Sequence, residues 1–279
     1  MSEYKGKIIV IEGIDGSGKT TQTNMLIARL KGQGLNVKTQ DFPRHGDPAF
    51  HCGDKYLTGV YGRDVKSLGF LGPSILYSVD RFDFAHTQMI PELSRGTLWV
   101  LNRFIQSNYG HQGGKIDDYS AREEFFRKID EIEFDWFGIP RWDFTVFLKV
   151  PPVLSRQFVL RKKESERRQG ERSYLGEEKQ DLHEQDLMHL INASRAYDHA
   201  GNFYGGDKWV FVDCLAPELE EEVKILTERV IRERMSALKV QELLQRDLEA
   251  YLLSPEQVHE RVFKKVSEFL KRNDTFSFF

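Results

Sequence analysis

Short apolar runs punctuate the chain at intervals that leave room for helices. Lys7–Glu12 (KIIVIE) is a β-branched run that suits a buried strand. Residues 36–42, 97–102 (TLWVLN), 144–150 (FTVFLKV) and 208–213 (KWVFVD) predict four more strands. Between them, apolar positions recur at helical spacing. Met25, Leu26 and Leu30 mark a helix from 19 to 31 that Gly32 and Gly34 end, and Ile75, Leu76, Val79 and Phe82 mark another over 74–95. Alternating strand and helix predicts an α/β fold around a five-stranded, mostly parallel sheet. Ligands in such folds gather beyond the carboxyl ends of the strands. After Asp213 the character changes. Residues 218–271 are charge-rich, with Val223, Leu226, Val230 and Ile231 at helical spacing, and predict two or three appended helices. Those helices either pack on the sheet and on each other or offer a surface to a partner, a homodimer included. The aromatic tail at 275–279 (TFSFF) suggests no chemistry.

Between the first strand and the first helix stands Gly13-Ile14-Asp15-Gly16-Ser17-Gly18-Lys19-Thr20, followed by Thr21, which satisfies G-x-x-x-x-G-K-[ST] in full. Glycines let the backbone curl until its N–H groups converge on an anion. The helix N-terminus adds about half a positive charge. Lys19 can reach the β- and γ-phosphates as a point charge, and the Thr20 hydroxyl can join the shell of a Mg²⁺ ion. The segment reads as a nucleotide phosphate site. The Asn-Lys-x-Asp motif by which GTPases read their base is missing, and the strand at 97–102 ends in Asn102 rather than an acid. A small-molecule kinase is favoured over a GTP switch or a motor ATPase.

Composition narrows the setting. Forty Lys and Arg against 43 Asp and Glu give a net charge of −3, which argues against a general nucleic-acid binder. With 279 residues, 40% apolar and 30% charged, the chain has the make-up of a globular protein whose core needs no covalent staples. Two cysteines, Cys52 and Cys214, exclude a disulfide framework and a cysteine zinc site. No 18-residue apolar stretch lacks a charge, and the first residues run into a strand without the order of a signal peptide. The expectation is a soluble cytoplasmic protein with neither membrane nor nucleic acid as partner.

Five segments, in order and spacing, resemble the thymidylate kinases over roughly residues 7–213: 12–21 (EGIDGSGKTT), Phe42-Pro43-Arg44, Asp80-Arg81 at the end of 76–79 (LYSV), Asn102-Arg103-Phe104 with Ser107-Asn108 and His111-Gln112, and Asp181 with Glu184 ahead of Tyr197. The resemblance implies a three-layer P-loop kinase fold, ATP as donor with Mg²⁺, and thymidine 5′-monophosphate (dTMP) as acceptor. A monophosphate is already largely ionised near neutral pH, so the chemistry needs alignment and charge neutralisation rather than a general base. Residues 13–21 would then bind ATP, with Thr20 on the metal. Arg44 and Arg103 would hold the acceptor phosphate, and Asp15 would orient the acceptor side. Phe42 and Ser107 fall among the acceptor-binding residues. Tyr77 would lie against the thymine ring, Arg81 at its O4 edge, and Asn108 and Gln112 near its polar edge. Asp181 and Glu184 would serve the substrate or lid closure. The catalytic set implied is Asp15, Lys19, Arg103 and Arg172.

The charge-dense stretch 161–172 (RKKESERRQGER) is either a solvated helix face or the start of a lid spanning about 161–180, with Arg172 ahead of Arg168 and Arg167 as the arginine that approaches the transferring group. The domain reading is a kinase-like unit over 1–214 and a helical extension over 215–279. Four positions depart from the family's pattern: Gly16 where some members carry a basic residue, Asn102 for its usual Asp, His111 for Tyr, and Lys149 at a strand end that is often acidic. Asn102 puts metal affinity in question and His111 the deoxy-versus-ribo preference. The alternatives are a kinase for another nucleoside monophosphate, a deoxynucleoside kinase using Glu12 as base, or a catalytically weak nucleotide-binding module.

Overall fold

The computed structural model describes residues 5–62, 68–169, 187–244 and 246–272, with only the helical course given for 162–169. Five strands, β1 (Lys7–Glu12), β2 (Val37–Asp41), β3 (Leu98–Asn102), β4 (Phe144–Lys149) and β5 (Trp209–Asp213), pair in the order β2-β3-β1-β4-β5, every pairing parallel. The β-branched run of β1 takes the centre of the sheet. Its period of two sends Ile9 and Ile11 into one core and Ile8 and Val10 into the other. Because β1 sits between β3 and β4, the strand order reverses at its carboxyl end, the switch point where α/β folds bind ligands.

Helices cover both faces. α1 (Lys19–Gly32) follows the glycine-rich loop, and α2 (His51–Leu57) and α3 (Leu71–Phe84) follow β2. The helix expected over 74–95 is present but changes winding: a π turn at Ala85–Met89 joins α3 to α4 (Ile90–Ser94). The wide turn absorbs Pro91, which has no N–H to donate and lies in the first turn of α4. α5 (Tyr119–Asp130) precedes β4, α6 (Pro152–Gln169) follows it, and α7 (Leu187–Tyr204) leads into β5.

Three further helices follow the last strand: α8 (Glu220–Glu233), α9 (Ala237–Leu243) and α10 (Pro255–Arg272). Val258, Val262, Val266, Phe269 and Leu270 of α10 join the core that holds Leu26 and Leu30 of α1 and Phe144 and Val146 of β4. Phe269 stacks on Phe144 with ring centres 4.6 Å apart. Each such side chain contributes roughly 1.5–3 kcal/mol by burial, so the last helix is a large share of what holds that face. Gln22 Nε2 of α1 also donates to the Pro255 carbonyl at 2.8 Å. Among the described residues, no helix is long and apolar enough to cross a membrane.

Candidate active site

The loop after β1 owes its course to its glycines. Gly16 and Gly18 take φ of 83° and 85°, a region that side chains disfavour. A Cβ on Gly16 would stand 2.4 Å from the Ser155 carbonyl oxygen at the root of α6, so a basic side chain has no room here. Lys19 is buried and its Nζ donates to the carbonyls of Gly13 and Ile14 at 2.9 Å each, which holds its charge inside the loop. Thr20 and Thr21 are exposed on the first turn of α1. Asn102 ends β3 beside Thr20, donating from Nδ2 to its hydroxyl at 3.2 Å, while its buried Oδ1 has no partner among the described residues.

Glu12, at the end of β1, is fully buried. Its carboxylate accepts from the backbone N–H of Gly13 (3.3 Å) and Phe104 (3.1 Å) and from the hydroxyls of Ser107 (2.8 Å) and Tyr197 (3.0 Å). Four donors occupy two oxygens, so Glu12 ties the loop to its surroundings and is not placed to act as a base.

Arg103 leaves β3 with φ of 67°, its N–H held by the Ile11 carbonyl at 3.1 Å. Its guanidinium pairs with Asp15, approaches the Ser107 hydroxyl at 3.4 Å and donates to His111 Nε2 at 3.2 Å. Burial alone would push the Asp15 carboxyl up, but Arg103, with Lys19, outweighs it and holds the group well below the usual carboxylate range.

Asp15, Phe42, Tyr77, Arg81, Arg103, Ser107, Asn108, His111 and Gln112 line one open cleft beside this loop. All but Arg44, Asp181 and Glu184 of the residues that the sequence assigned to the acceptor therefore meet. Tyr77 rests on Phe50, ring centres 5.3 Å apart. Arg81 is buried. Its Nε donates to Glu133 Oε2 at 2.8 Å and its Nη2 pairs with Oε1, which leaves Nη1 with a long 3.4 Å contact to the Phe104 carbonyl. Glu133 also accepts from Ser78 (2.7 Å) and Asn108 (3.3 Å). Gln112 is buried and its Oε1 has no partner among the described residues. Arg44 is turned away into a ring of acids, Asp80 and Asp83 at 2.7 Å and Asp47 at 3.2 Å. Lys149 faces Asp198 at 3.8 Å. Arg172, Asp181 and Glu184 lie outside the described residues, as do the side chains of Arg167 and Arg168.

A sequence model of thymidylate kinases matches residues 11–200, more than half of the chain and all of the cleft. The chain belongs to the thymidylate kinase family. It is 31% identical over 150 residues to a thymidylate kinase of Mycobacterium tuberculosis (strain H37Rv), covering 53% of this chain and 68% of that one. To the thymidylate kinase of Afipia carboxidovorans it is 37% identical over 116 residues, covering 40% of this chain and 49% of the relative, and to that of a Bradyrhizobium species 34% identical over 115 residues, again 49% of the relative. Against these last two thymidylate kinases the chain spans about half of the relative's length. The family match stops short of α8, α9 and α10.

Sequence reasoning missed Glu133, His45 and His189. Glu133 is 52 positions from Arg81, and no local motif announces such a partner. His45, which also lines the cleft, could have been found as the residue after the Phe-Pro-Arg segment.

Proposed function

We propose that the chain transfers the γ-phosphoryl group of ATP to dTMP, giving ADP and dTDP, as a cytoplasmic enzyme of nucleotide biosynthesis. The observation that carries this reading is the meeting, at the end of β1, of a phosphate-binding loop with a cleft walled by Arg103, Arg81, Tyr77, Asn108 and Gln112. Backbone N–H groups of residues 13–18 and the Lys19 ammonium grip the donor's phosphates. Lys19 reaches them by exchanging the Gly13 and Ile14 carbonyls for phosphate oxygens. Arg103, pinned by Asp15, holds the acceptor phosphate in line with the donor and offsets charge during transfer. Arg44 joins it only by leaving part of its acid ring. Tyr77 gives the base an aromatic face, while Nη1 of Arg81, held by one long contact to Phe104, and Oε1 of Gln112 supply a donor and an acceptor, as a ring with both carbonyl and N–H edges requires. Arg172 would arrive with the lid.

The residues present fit Mg²⁺. The exposed Thr20 hydroxyl and the unpartnered Asn102 Oδ1 are adjacent oxygen donors of the kind this ion and its waters take. Held there, the ion would offset the negative charge of the donor phosphates. Glu12 supports the monophosphate over a nucleoside acceptor, since the carboxylate that would have to serve a neutral 5′-hydroxyl as base is already saturated with donors.

The test is coupled ADP release with a panel of monophosphates and with thymidine. Release that depends strongly on dTMP is expected. Turnover of thymidine but not dTMP, or ADP release indifferent to any acceptor, would sink the reading.

A further inference from the structure

His111 reaches the cleft from the π turn Asn108–Gln112, and beside it stands His189 on α7. His111 Nδ1 and His189 Nε2 are 3.4 Å apart, the ring centres 5.6 Å apart and the planes 22° from parallel. The centre separation exceeds the nitrogen separation by about two ring radii, so both nitrogens lie on the line between the centres and the rings meet edge to edge. On the other side, His111 Nε2 is 3.2 Å from Nη1 of Arg103.

Arginine only donates, so Nε2 of His111 must carry a lone pair. A neutral imidazole has one N–H, which places it on Nδ1, directed at His189 Nε2. That nitrogen must in turn be an acceptor. Polarity along the chain is thus set from one end: Arg103 donates to His111, and His111 to His189. We infer that His111 and His189 form a neutral two-imidazole relay that positions Arg103 for the acceptor phosphate, with His189 the positioning residue that accepts the His111 Nδ1–H. What Arg103 binds rests on the function proposed above; the relay itself does not.

Protonating either ring breaks the arrangement. A charged His111 turns an N–H toward a guanidinium, and a charged His189 turns one toward the Nδ1–H. Asp15 from the phosphate-binding loop, Lys19 from α1, Arg103 after β3, and Tyr197 and His189 from α7 all face His111. Burial first, then Arg103, His189 and Lys19 against the opposing pull of Asp15, hold His111 well below the ordinary histidine range. His111 is therefore neutral near neutral pH, and its protonation in acid releases Arg103.

Imidazole ¹⁵N NMR on the nucleotide-free chain near pH 7.5 tests the relay without reference to activity. The expected result is His111 protonated on Nδ1 alone; a proton on Nε2 would overturn the proposal. Kinetics then compare His189→Leu with His189→Gln, whose Oε1 can replace the accepting nitrogen. The Leu variant should lose roughly three- to tenfold in kcat/KM for dTMP, the range of one hydrogen bond, with KM for ATP within about twofold. The Gln variant should regain most of that and lose the histidine part of the acid limb. The acceptor phosphate titrates near pH 6 in every variant, so the difference between profiles is the readout. Equal damage in both variants, or an unchanged acid limb in the Gln variant, would reduce His189 to packing and refute the relay. Wild-type chain idle on dTMP but with the expected tautomer would sink the function and leave the relay standing.

Discussion

Replacing Glu133 by Gln tests what holds the base end of the cleft. Glu133 is 0% and Arg81 2% exposed, so the pair is shielded from water. The substitution removes the charge opposite the guanidinium and turns a carboxamide N–H toward one of the arginine's donors. The one remaining oxygen can keep Ser78 and Asn108 only by setting the carboxamide N–H against Arg81 Nε. Breaking a buried pair by changing one partner costs about 3–5 kcal/mol, because the remaining charge stays desolvated and unpaired. At about 2–4 °C per kcal/mol for a protein of this size, Tm should fall by at least ~6 °C. Urea unfolding monitored by tryptophan fluorescence measures the loss, and calorimetry of dTMP binding measures the effect on the cleft. A double variant, Arg81→Met with Glu133→Leu, should be less destabilised than Glu133→Gln, since no charge is left buried, yet should bind dTMP poorly. A Glu133→Gln loss below ~1 kcal/mol with dTMP affinity intact would show the pair to be effectively hydrated and the reasoning wrong.

Other outcomes follow from single contacts. Gly16→Ala should lower Tm by several degrees and raise KM for ATP, because a positive φ costs a side chain about 1–2 kcal/mol and the new Cβ meets the Ser155 carbonyl; an unchanged melting curve would contradict the crowding. Asn102→Asp should lower the Mg²⁺ concentration for half-maximal activity by about tenfold, the scale of outer-shell changes at metal sites, and an unaltered Mg²⁺ titration would detach Asn102 from the metal. Burial raises Asp130 to about 6, against the lowering effect of the Tyr109 and Tyr204 hydroxyls. The folded state therefore holds this proton more tightly than the unfolded one, whose group titrates near 3.9. Its contribution is present below about pH 4 and is lost as pH rises through about 6. Asp130→Asn should flatten the stability profile over that window by up to about 3 kcal/mol; an identical slope would place the carboxyl in water.

The parallel sheet was legible because strands buried on both faces must be apolar throughout, as residues 8–11 are. The loop was legible because only glycines permit its turns. The π turn before Pro91 was not, since a proline at a new first turn and a proline inside a helix look alike along the chain. Arg44 shows a different limit. Its place after Phe42-Pro43 gave the neighbourhood, but not the three acids that hold it, two of which come from α3. Arg81 was expected at the base edge and lines that cleft, while the carboxylate that steadies it comes from the π turn Glu131–Trp136. Pairings of this length depend on how whole elements stack, which periodicity does not encode. The charge-rich region after 213 announced helices, and α10 is amphipathic enough to be found, but its seat against α1 and β4 needed the fold.

That seat bears on how the chain is made. All five strands have been synthesised once residue 213 emerges from the ribosome, yet one side of the sheet still lacks the side chains at 258, 262, 266, 269 and 270 that close over it. During those last dozens of residues the nascent protein carries a bare oily strip over the very helix that starts at the phosphate loop. Such an intermediate invites chaperones and self-association, and a premature stop in this stretch would injure solubility before it touched a single residue of the cleft.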